Sequence, residues 1–420
     1  MTTIPKEPAK RGRSLPYNER SVSTGSQRIA GITINASIDI IVTAHNMQDC
    51  LDECLTSLAA QTHSDFRVFI IEDGSTDQTA IRAQNFAEHD QRFHVISTPG
   101  LGAAGARNHG LALVEAPAFM LLDGDDIFHP TMLSRLLSAM NSTDADVVVC
   151  DMVQFVHDTT RPHAHRERVR APWSLKKSQL PHFGSADWLA HPWVNERTIP
   201  GNLFAAFMGW PWDKLYKTSF VRQHGLSFPE DLTNSEDMLF TYEALVLASR
   251  IAVVDEVLID HRIERGGSVS NSRTSDPLAF YVALSRMKSF LKNRPQNAWK
   301  RLQKPFLNWA FDWTLWNIET LGESDAQSRL IHLLHDNAFD LLELTEHDPA
   351  YFSEYPRSLA RYASLLDDEA ARTPGFNPNA GPLGALNALP YGAFKPWSQA
   401  NIFEKLQIKH RMRQNIPSEW

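Results

Sequence analysis

The stretch Ala118–Ile127, AFMLLDGDDI, decides how the rest of the chain is read. Its apolar part, Ala118–Leu122, is short, bounded by Pro117 and Gly124, and reads as a strand buried on both faces. Three carboxylates, Asp123, Asp125 and Asp126, follow within four residues. Desolvating a carboxylate costs on the order of several kcal/mol unless it is paired or metal-bound, so the cluster calls for a cation. In open parallel α/β sheets ligands bind outside the C-terminal ends of the strands. Hard oxygen ligands shared with a phosphate group suit magnesium or manganese, and the stretch therefore reads as a metal–diphosphate site. The stretch alone also leaves open an Asp-Gly turn followed by an Asp near a helix start, with Pro130 in the first turn.

Outward from this strand, apolar runs alternate with helical periodicity from about Ser37 to Asp151. Ile38–Val42 precedes a helix from about Asp49, and Arg67–Ile71 precedes a helix opened by Ser75–Asp77. Phe93–Ser97 precedes the helix Ala103–Val114, then come Ala118–Leu122 and Val147–Cys150. This βαβα rhythm predicts a doubly wound, mostly parallel sheet. Residues 152–209 break the rhythm with scattered His, Arg, Trp and Pro and read as an irregular insertion. His157, His163, His165, His182 and His191 match no metal-site spacing and read as solvated loop residues. Beyond Asp276 the steps of three and four in Leu278–Leu291, Trp299–Thr320 and Ala326–Leu344 predict helices whose many aromatics form a core. The expected organisation is a flexible arm over 1–36, an α/β domain over 37–275 and a mainly helical domain over 276–420.

The 420 residues carry 41 Lys and Arg against 49 Asp and Glu, a net charge of −8, which argues against a nucleic-acid partner. No run reaches the roughly 18 apolar residues of a bilayer span, and Met1–Ala36 holds no apolar core of a signal peptide. A cytoplasmic location is expected, with the three cysteines, Cys50, Cys54 and Cys150, as buried thiols. Near the C-terminus, Leu406, Ile408 and Met412 alternate with the charges of Lys405–Arg413, a pattern consistent with a solvated helix or weak contact with an anionic membrane face.

Four further segments combine with the carboxylates. Val42–Asn46 (VTAHN) leaves the first strand over the sheet's ligand-binding edge. Ile70–Asp77 (IIEDGSTD) ends the second strand with Asp73 on a Gly-Ser turn, where a carboxylate can accept an N–H from a base, whereas Asp77 suits the following helix start. Gly100–Gly110 (GLGAAGARNHG) is glycine-rich but lacks the ending of a nucleotide-triphosphate loop. It reads as a helix start that admits a ligand, with Arg107 able to reach an anion. Ser235-Glu236-Asp237 opens a helix, and its carboxylates serve either the helix dipole or, for one of them, general base work.

Together these segments resemble the family 2 glycosyltransferases, inverting enzymes of the GT-A fold that use nucleotide-diphosphate sugars and build bacterial surface polysaccharides. The resemblance runs from about Ile38 to Ser272, through VTAHN, EDGSTD, AAGARNHGL, LLDGDD, WDKLYK (Trp212–Lys217), NSEDMLF (Asn234–Phe240) and HRIERGGSVSNS (His261–Ser272). It implies that Asp73 contacts a base, uracil by expectation, with Thr43, Ala44 and His45 lining the same pocket. It implies that Asp123 faces the ribose and metal, that Asp125 holds Mn²⁺ or Mg²⁺ at the diphosphate, and that Asp237 deprotonates the acceptor hydroxyl. Arg262, followed by Arg265 and Ser268, resembles the segment that closes over the diphosphate. His45 and His261 stand where the family often has Tyr, and His261 is expected to be structural rather than a metal ligand.

The expected activity is transfer of a sugar from a UDP-sugar to a saccharide or lipid-linked acceptor. A sugar nucleotidyltransferase would share the sheet and the metal, but VTAHN offers no early glycine-rich loop with a basic residue. A non-catalytic saccharide-binding protein is the remaining alternative, and the intact Asp123, Asp125 and Asp237 argue against it.

Overall fold

A computed structural model describes residues 37–158, 160, 168, 174–263, 276, 279–320, 339–343, 347 and 349–352. Strands β1 (Ile38–Ala44), β2 (Phe66–Asp73), β3 (Phe93–Thr98) and β4 (Ala118–Asp123) run parallel in the order β3-β2-β1-β4. They are joined by α1 (Leu51–Ala59), α2 (Thr79–His89) and α3 (Gly102–Leu113). The apolar runs are continuous because helices cover both faces. Along β1, β2 and β4, Ile41, Phe69, Ile71, Phe119 and Leu121 enter one core. Their neighbours Ile40, Val42, Val68, Ile70, Met120 and Leu122 enter the other, as the two-residue period of a strand requires.

Past β4 the sheet is mixed. The short β8 (Lys214–Lys217) pairs antiparallel with both β4 and β6 (Val147–Val156), and β6 runs parallel with β9 (Ile251–Ile263). The two-residue strands β5 (Ile127–Phe128) and β7 (Trp193–Val194) each pair antiparallel with β9. The strand expected to stop at Cys150 therefore continues to Val156. Its partner β9 supplies hydrogen bonds as far as Ile263, across register shifts on either side of Asp151.

The stretch expected to be irregular also holds α5 (Ala186–Ala190) and α6 (Leu203–Ala206) besides β7. Helices α4 (Met132–Thr143), α7 (Thr218–His224) and α8 (Glu236–Leu247) complete this part. Among the described histidines of this stretch, His182 and His191 are exposed, and His157 contacts Arg262.

Helices α9 (Ala279–Asn293) and α10 (Ala298–Thr320) lie within one or two residues of their sequence-based bounds. Of the third expected helix, only α11 (Phe339–Leu342) falls among the described residues. Leu284, Met287, Leu302 and Phe306 are fully buried in the same core cluster as Phe204, Phe240 and Tyr242, and Phe204 stacks on Trp309 at 5.3 Å. Cys50, Cys54 and Cys150 are buried thiols outside any disulfide. Among the described residues no helix is long and apolar enough to cross a membrane. The segment Lys405–Arg413, Arg265 and Ser268 lie outside the described residues.

Candidate active site

The strand register levels the C-terminal ends of β1, β2 and β4, pairing Thr43 with Asp123 and Ala44 with Glu72. Thr43 Oγ1 donates to Asp123 Oδ1 at 3.2 Å, and Ala44 is buried beside it. At the end of β2 the chain turns through Gly74 (φ 68°), where a Cβ would stand 2.9 Å from the Gly100 nitrogen. That approach lets Asp73 reach the start of α3: Oδ1 accepts from Thr98 Oγ1 and the Leu101 N–H at 2.6 Å each, and Oδ2 from the Gly102 N–H at 2.8 Å. A carboxylate oxygen has two acceptor sites, so Oδ2 keeps capacity for a further N–H. His45 Nδ1–H donates to the Asp73 carbonyl at 2.7 Å, with its residue exposed at the rim. Asp77 is a helix cap, accepting from the Thr79 and Gln48 N–H groups at 2.9 and 3.1 Å.

The carboxylate loop after β4 is tied down from three sides. The Gly124 N–H returns to the Thr43 carbonyl at 3.0 Å. Asp126 is fully buried, and its Oδ1 accepts from His261 Nδ1 and from the Arg262 N–H at 2.9 Å each. Burial pushes its carboxyl up to about 6 against the pull of His261. The imidazole of His261 is raised to about 9, because the charge of Asp126 outweighs the cost of burial. Asp126 Oδ2 is buried with no hydrogen-bond partner among the described residues. Asp125 is 8% exposed.

Among the described residues no three His, Cys, Asp or Glu groups form a ready-made metal cage. The donor set nevertheless fits a hard cation. Two carboxylates, Asp123 and Asp125, stand at the strand end, as suits an ion that takes its remaining ligands from water and a diphosphate.

Arg107 and Arg262 are both drawn into ion pairs with carboxylates of the chain itself. Arg107, on α3, is 7% exposed and donates to Asp123 Oδ1 at 3.0 Å and to Glu236 Oε1 at 2.7 Å. Burial disfavours its charge, but Asp123, Glu236 and Asp237 together hold the guanidinium firmly protonated. The Arg262 side chain is fully buried and donates to the Asp125 carbonyl at 2.6 Å and to Glu53 of α1 at 2.8 Å, with Phe155 against its face. It braces the carboxylate loop from behind. Both residues act on the site through carboxylates and carbonyls, a role that a lone Arg in sequence does not reveal.

At the head of α8, Ser235 takes a left-handed conformation (φ 65°) and makes no side-chain cap. Non-glycine residues adopt this conformation rarely and at a cost. It delivers Glu236 to Arg107 and leaves Asp237 half-buried, with Oδ1 accepting the Met238 N–H at 2.7 Å. Burial, and then the neighbouring Glu236, push the Asp237 carboxyl up to about 7. A carboxyl that titrates near neutrality suits a proton acceptor.

Sequence reasoning missed the aromatic stack beside this site. Trp210 lies on Trp212 at 5.5 Å and 11°, and Trp212 on His261 at 4.6 Å and 17°. It also missed the fully buried Asp213–Lys214 pair beneath the stack. The spacing Trp210-Pro211-Trp212 was the available signal.

With this geometry in view, the comparisons place the chain. Residues 39–194 match the model of glycosyl transferase family 2. It is 27% identical over 225 residues to the uncharacterized glycosyltransferase EpsJ of Bacillus subtilis, covering 54% of this chain and 60% of that one. It is 24% identical over 340 residues to the poly(ribitol-phosphate) beta-N-acetylglucosaminyltransferase TarS of Staphylococcus aureus, covering 80% of this chain and 54% of that one. The chain thus spans less than two thirds of the length of these relatives. The solved structure of residues 1–349 of S. aureus TarS in complex with UDP-GlcNAc superposes with a TM-score of 0.60 at 20% identity, covering 84% of this chain and 90% of that one. The likeness establishes the GT-A fold.

Proposed function

We propose that the protein is an inverting glycosyltransferase that moves a sugar from a nucleotide-diphosphate sugar, a UDP-sugar, to a saccharide or lipid-linked acceptor in surface polysaccharide synthesis. The observation that carries this reading is the Arg107 bridge. It joins Asp123 at the donor edge of the sheet to Glu236, the neighbour of Asp237, in one ion-paired unit. The UDP-GlcNAc complex of TarS supports the choice of nucleotide.

Thr43, Ala44, His45 and Asp73 line the base and ribose side at the ends of β1 and β2. Asp125 and Asp123 would hold Mn²⁺ or Mg²⁺, which when bound supplies Lewis-acid stabilisation of the charge developing on the diphosphate. Asp237 takes the proton of the acceptor hydroxyl as its oxygen attacks the anomeric carbon. The new C–O bond forms as the bond to the diphosphate oxygen breaks, the electron pair leaves with UDP, and the anomeric configuration inverts. Arg107 ties Asp123 to Glu236 and favours the ionised form of Asp237, against the opposing charge of Glu236.

A binding screen of nucleotide sugars with and without Mn²⁺, followed by UDP release from the tightest binder, tests the reading. Manganese-linked UDP-sugar binding with a β-linked product from an α-donor is expected. Binding that ignores the cation, or an α-linked product, overturns it.

A further inference from the structure

Past the end of β7, three arginines gather around a single carboxylate. Glu196 is 6% exposed, and Arg301 of α10 grips both of its oxygens, Oε1 through Nη2 at 2.7 Å and Oε2 through Nε at 3.3 Å. Arg197 lies on the same Oε1, with its Nε at 3.5 Å. Gln296 fixes both guanidiniums further. Its carbonyl accepts from Arg301 Nη1 at 2.5 Å, and its side-chain oxygen accepts from Arg197 Nη2. Gln296 and Asn297, in the loop between α9 and α10, are both left-handed, with φ of 61° and 56°. Non-glycine residues take up this conformation at a cost that surrounding contacts must offset.

The third arginine, Arg294, begins the same loop. It is half-buried, with its guanidinium 5.6 Å from the centroid of the Phe290 ring. Its Nε is buried without a hydrogen-bond partner, and no carboxylate among the described residues forms an ion pair with it. Burial lowers its pKa from the ordinary value, and the pull of Glu196 is opposed by the push of Arg301 and Arg197. The three guanidiniums therefore feel one another as a cluster. Three positive charges face one negative charge among these side chains, and that one is already engaged by Arg301 and Arg197. A partly desolvated cation among like charges, without a counter-ion of its own, is unfavourable. An anion from outside the chain would relieve it.

The cluster is separate from the donor edge. Val194 of β7 pairs with Ile251 at the start of β9, and Asn195 Nδ2 donates to the Ser249 carbonyl at 2.8 Å. The carboxylate loop meets β9 at its other end, where Ile127 pairs with Asp260. On the adjacent β6 these two levels are Val147 and Val153, and a strand rises about 3.3 Å per residue, which sets them roughly 20 Å apart. An anion held at Arg294 is thus not the diphosphate of the donor.

We infer that Arg294 and Arg197 form a second anion site, one that takes a phosphate monoester or diester above a base fixed by the Arg301–Glu196 pair. The planar fork of guanidinium donors matches phosphate oxygens in pairs, and a guanidinium is weakly hydrated, so little is lost on contact. A soluble ester and a lipid headgroup present the same chemistry here. The site does not depend on the transfer reading.

Thermal midpoints of the full chain are measured against inorganic phosphate, with ionic strength held constant by sodium chloride. A saturable rise is expected, as for any ligand that binds only the folded state. Arg294→Gln should raise the half-saturating phosphate by about ten-fold or more. Arg294→Lys, which keeps the charge and loses the fork, should fall between. Without phosphate, Arg294→Gln should be no less stable than the wild type, because it removes a repelled charge, whereas the loss of a purely structural arginine would lower the midpoint. UDP affinity should be the same in both variants. Sedimentation with phosphatidylglycerol and phosphatidylcholine vesicles separates the sources. Binding to the anionic vesicles that is lost in Arg294→Gln assigns the site to a headgroup, and a phosphate response without vesicle binding assigns it to a soluble ester. A phosphate response equal in wild type and Arg294→Gln, no response beyond that to chloride, or a lowered phosphate-free midpoint in Arg294→Gln overturns the site. So does a parallel loss of UDP affinity, which would place the phosphate at the donor edge.

Discussion

Arg107 and Glu236, 129 positions apart in the chain, meet in a buried ion pair of 2.7 Å, and the same guanidinium holds Asp123 at 3.0 Å. The consequence is mechanical as well as electrostatic. The helix that carries the candidate base cannot move away from the strand end that carries the donor-side carboxylate without breaking a charge-assisted hydrogen bond in a dry environment.

Removing that bridge should be costly. Arg107→Met leaves Glu236, 3% exposed, and Asp123 facing each other without a cation, and breaking such a pair from one side costs about 3–5 kcal/mol. Arg107→Lys can reach one carboxylate but not both, and should cost less. Urea unfolding with an unchanged slope checks both values. Equal stability of wild type and Arg107→Met would show that the bridge holds nothing.

Asp237→Asn keeps size and the capacity to accept the Met238 N–H, but it cannot take a proton. Transfer should fall by about 10²–10⁴-fold while UDP-sugar affinity changes little. Asn is as good as Asp near a helix start, so survival of transfer in this variant would reduce Asp237 to a helix-terminal residue.

The acid limb of the rate profile follows from the same residue. Asp237 must be ionised to act, and burial with Glu236 beside it places its titration at about 7, so kcat/KM should rise through that pH and level off above it. The stability contribution has the opposite sense. The folded pKa lies above the ordinary value of about 4, so the folded state binds the proton more tightly. Its contribution is complete below about pH 4 and is lost as the pH climbs to about 7. Glu236→Gln removes the negative neighbour and frees Arg107, so the limb should move to lower pH. A limb that stays in place in this variant would assign it to another group.

On the donor side, Asp125→Asn should abolish the Mn²⁺-linked part of UDP affinity in calorimetry, since it takes an anionic oxygen from a hard cation's shell. Asp73→Ala should weaken uridine binding without metal. It should also cost about 1 kcal/mol of stability, because the same carboxylate caps α3. Normal uridine binding by this variant would place the base contact elsewhere.

A chain ending near Ser275 should expose the apolar faces that Leu284, Met287, Leu302 and Phe306 now cover. Poor solubility and dye binding are expected. A soluble, equally active monomer would instead make α9 and α10 an independent appendage.

Much of the α/β half was legible in the residues. The strands β1 to β4 and the helices between them fall within a few residues of their expected bounds, because burial on both faces writes uninterrupted apolar runs into the chain. The Asp123–Asp126 cluster was legible for a related reason: three carboxylates at the end of such a run need a compensating group. By contrast, β8 reads KLYK, with two lysines and no apolar run, and becomes a strand only because β4 and β6 bond to it on either side. The extension of β6 beyond Cys150 depends in the same way on β9.

What the sequence determined by itself was the parallel half-sheet, the edge at which a ligand would bind and the acidic groups gathered there, since each leaves a local pattern of polarity and period. What only the tertiary structure decided was which charges meet. Arg107, read as reaching for an anion, is taken by Asp123 and Glu236, and Arg262 by the Asp125 carbonyl and Glu53. Trp210 finds Trp212 and His261. Apart from the neighbours Trp210 and Trp212, these partners lie far apart along the chain, and the desolvation that makes the charged pairings necessary exists only once the core has closed around them.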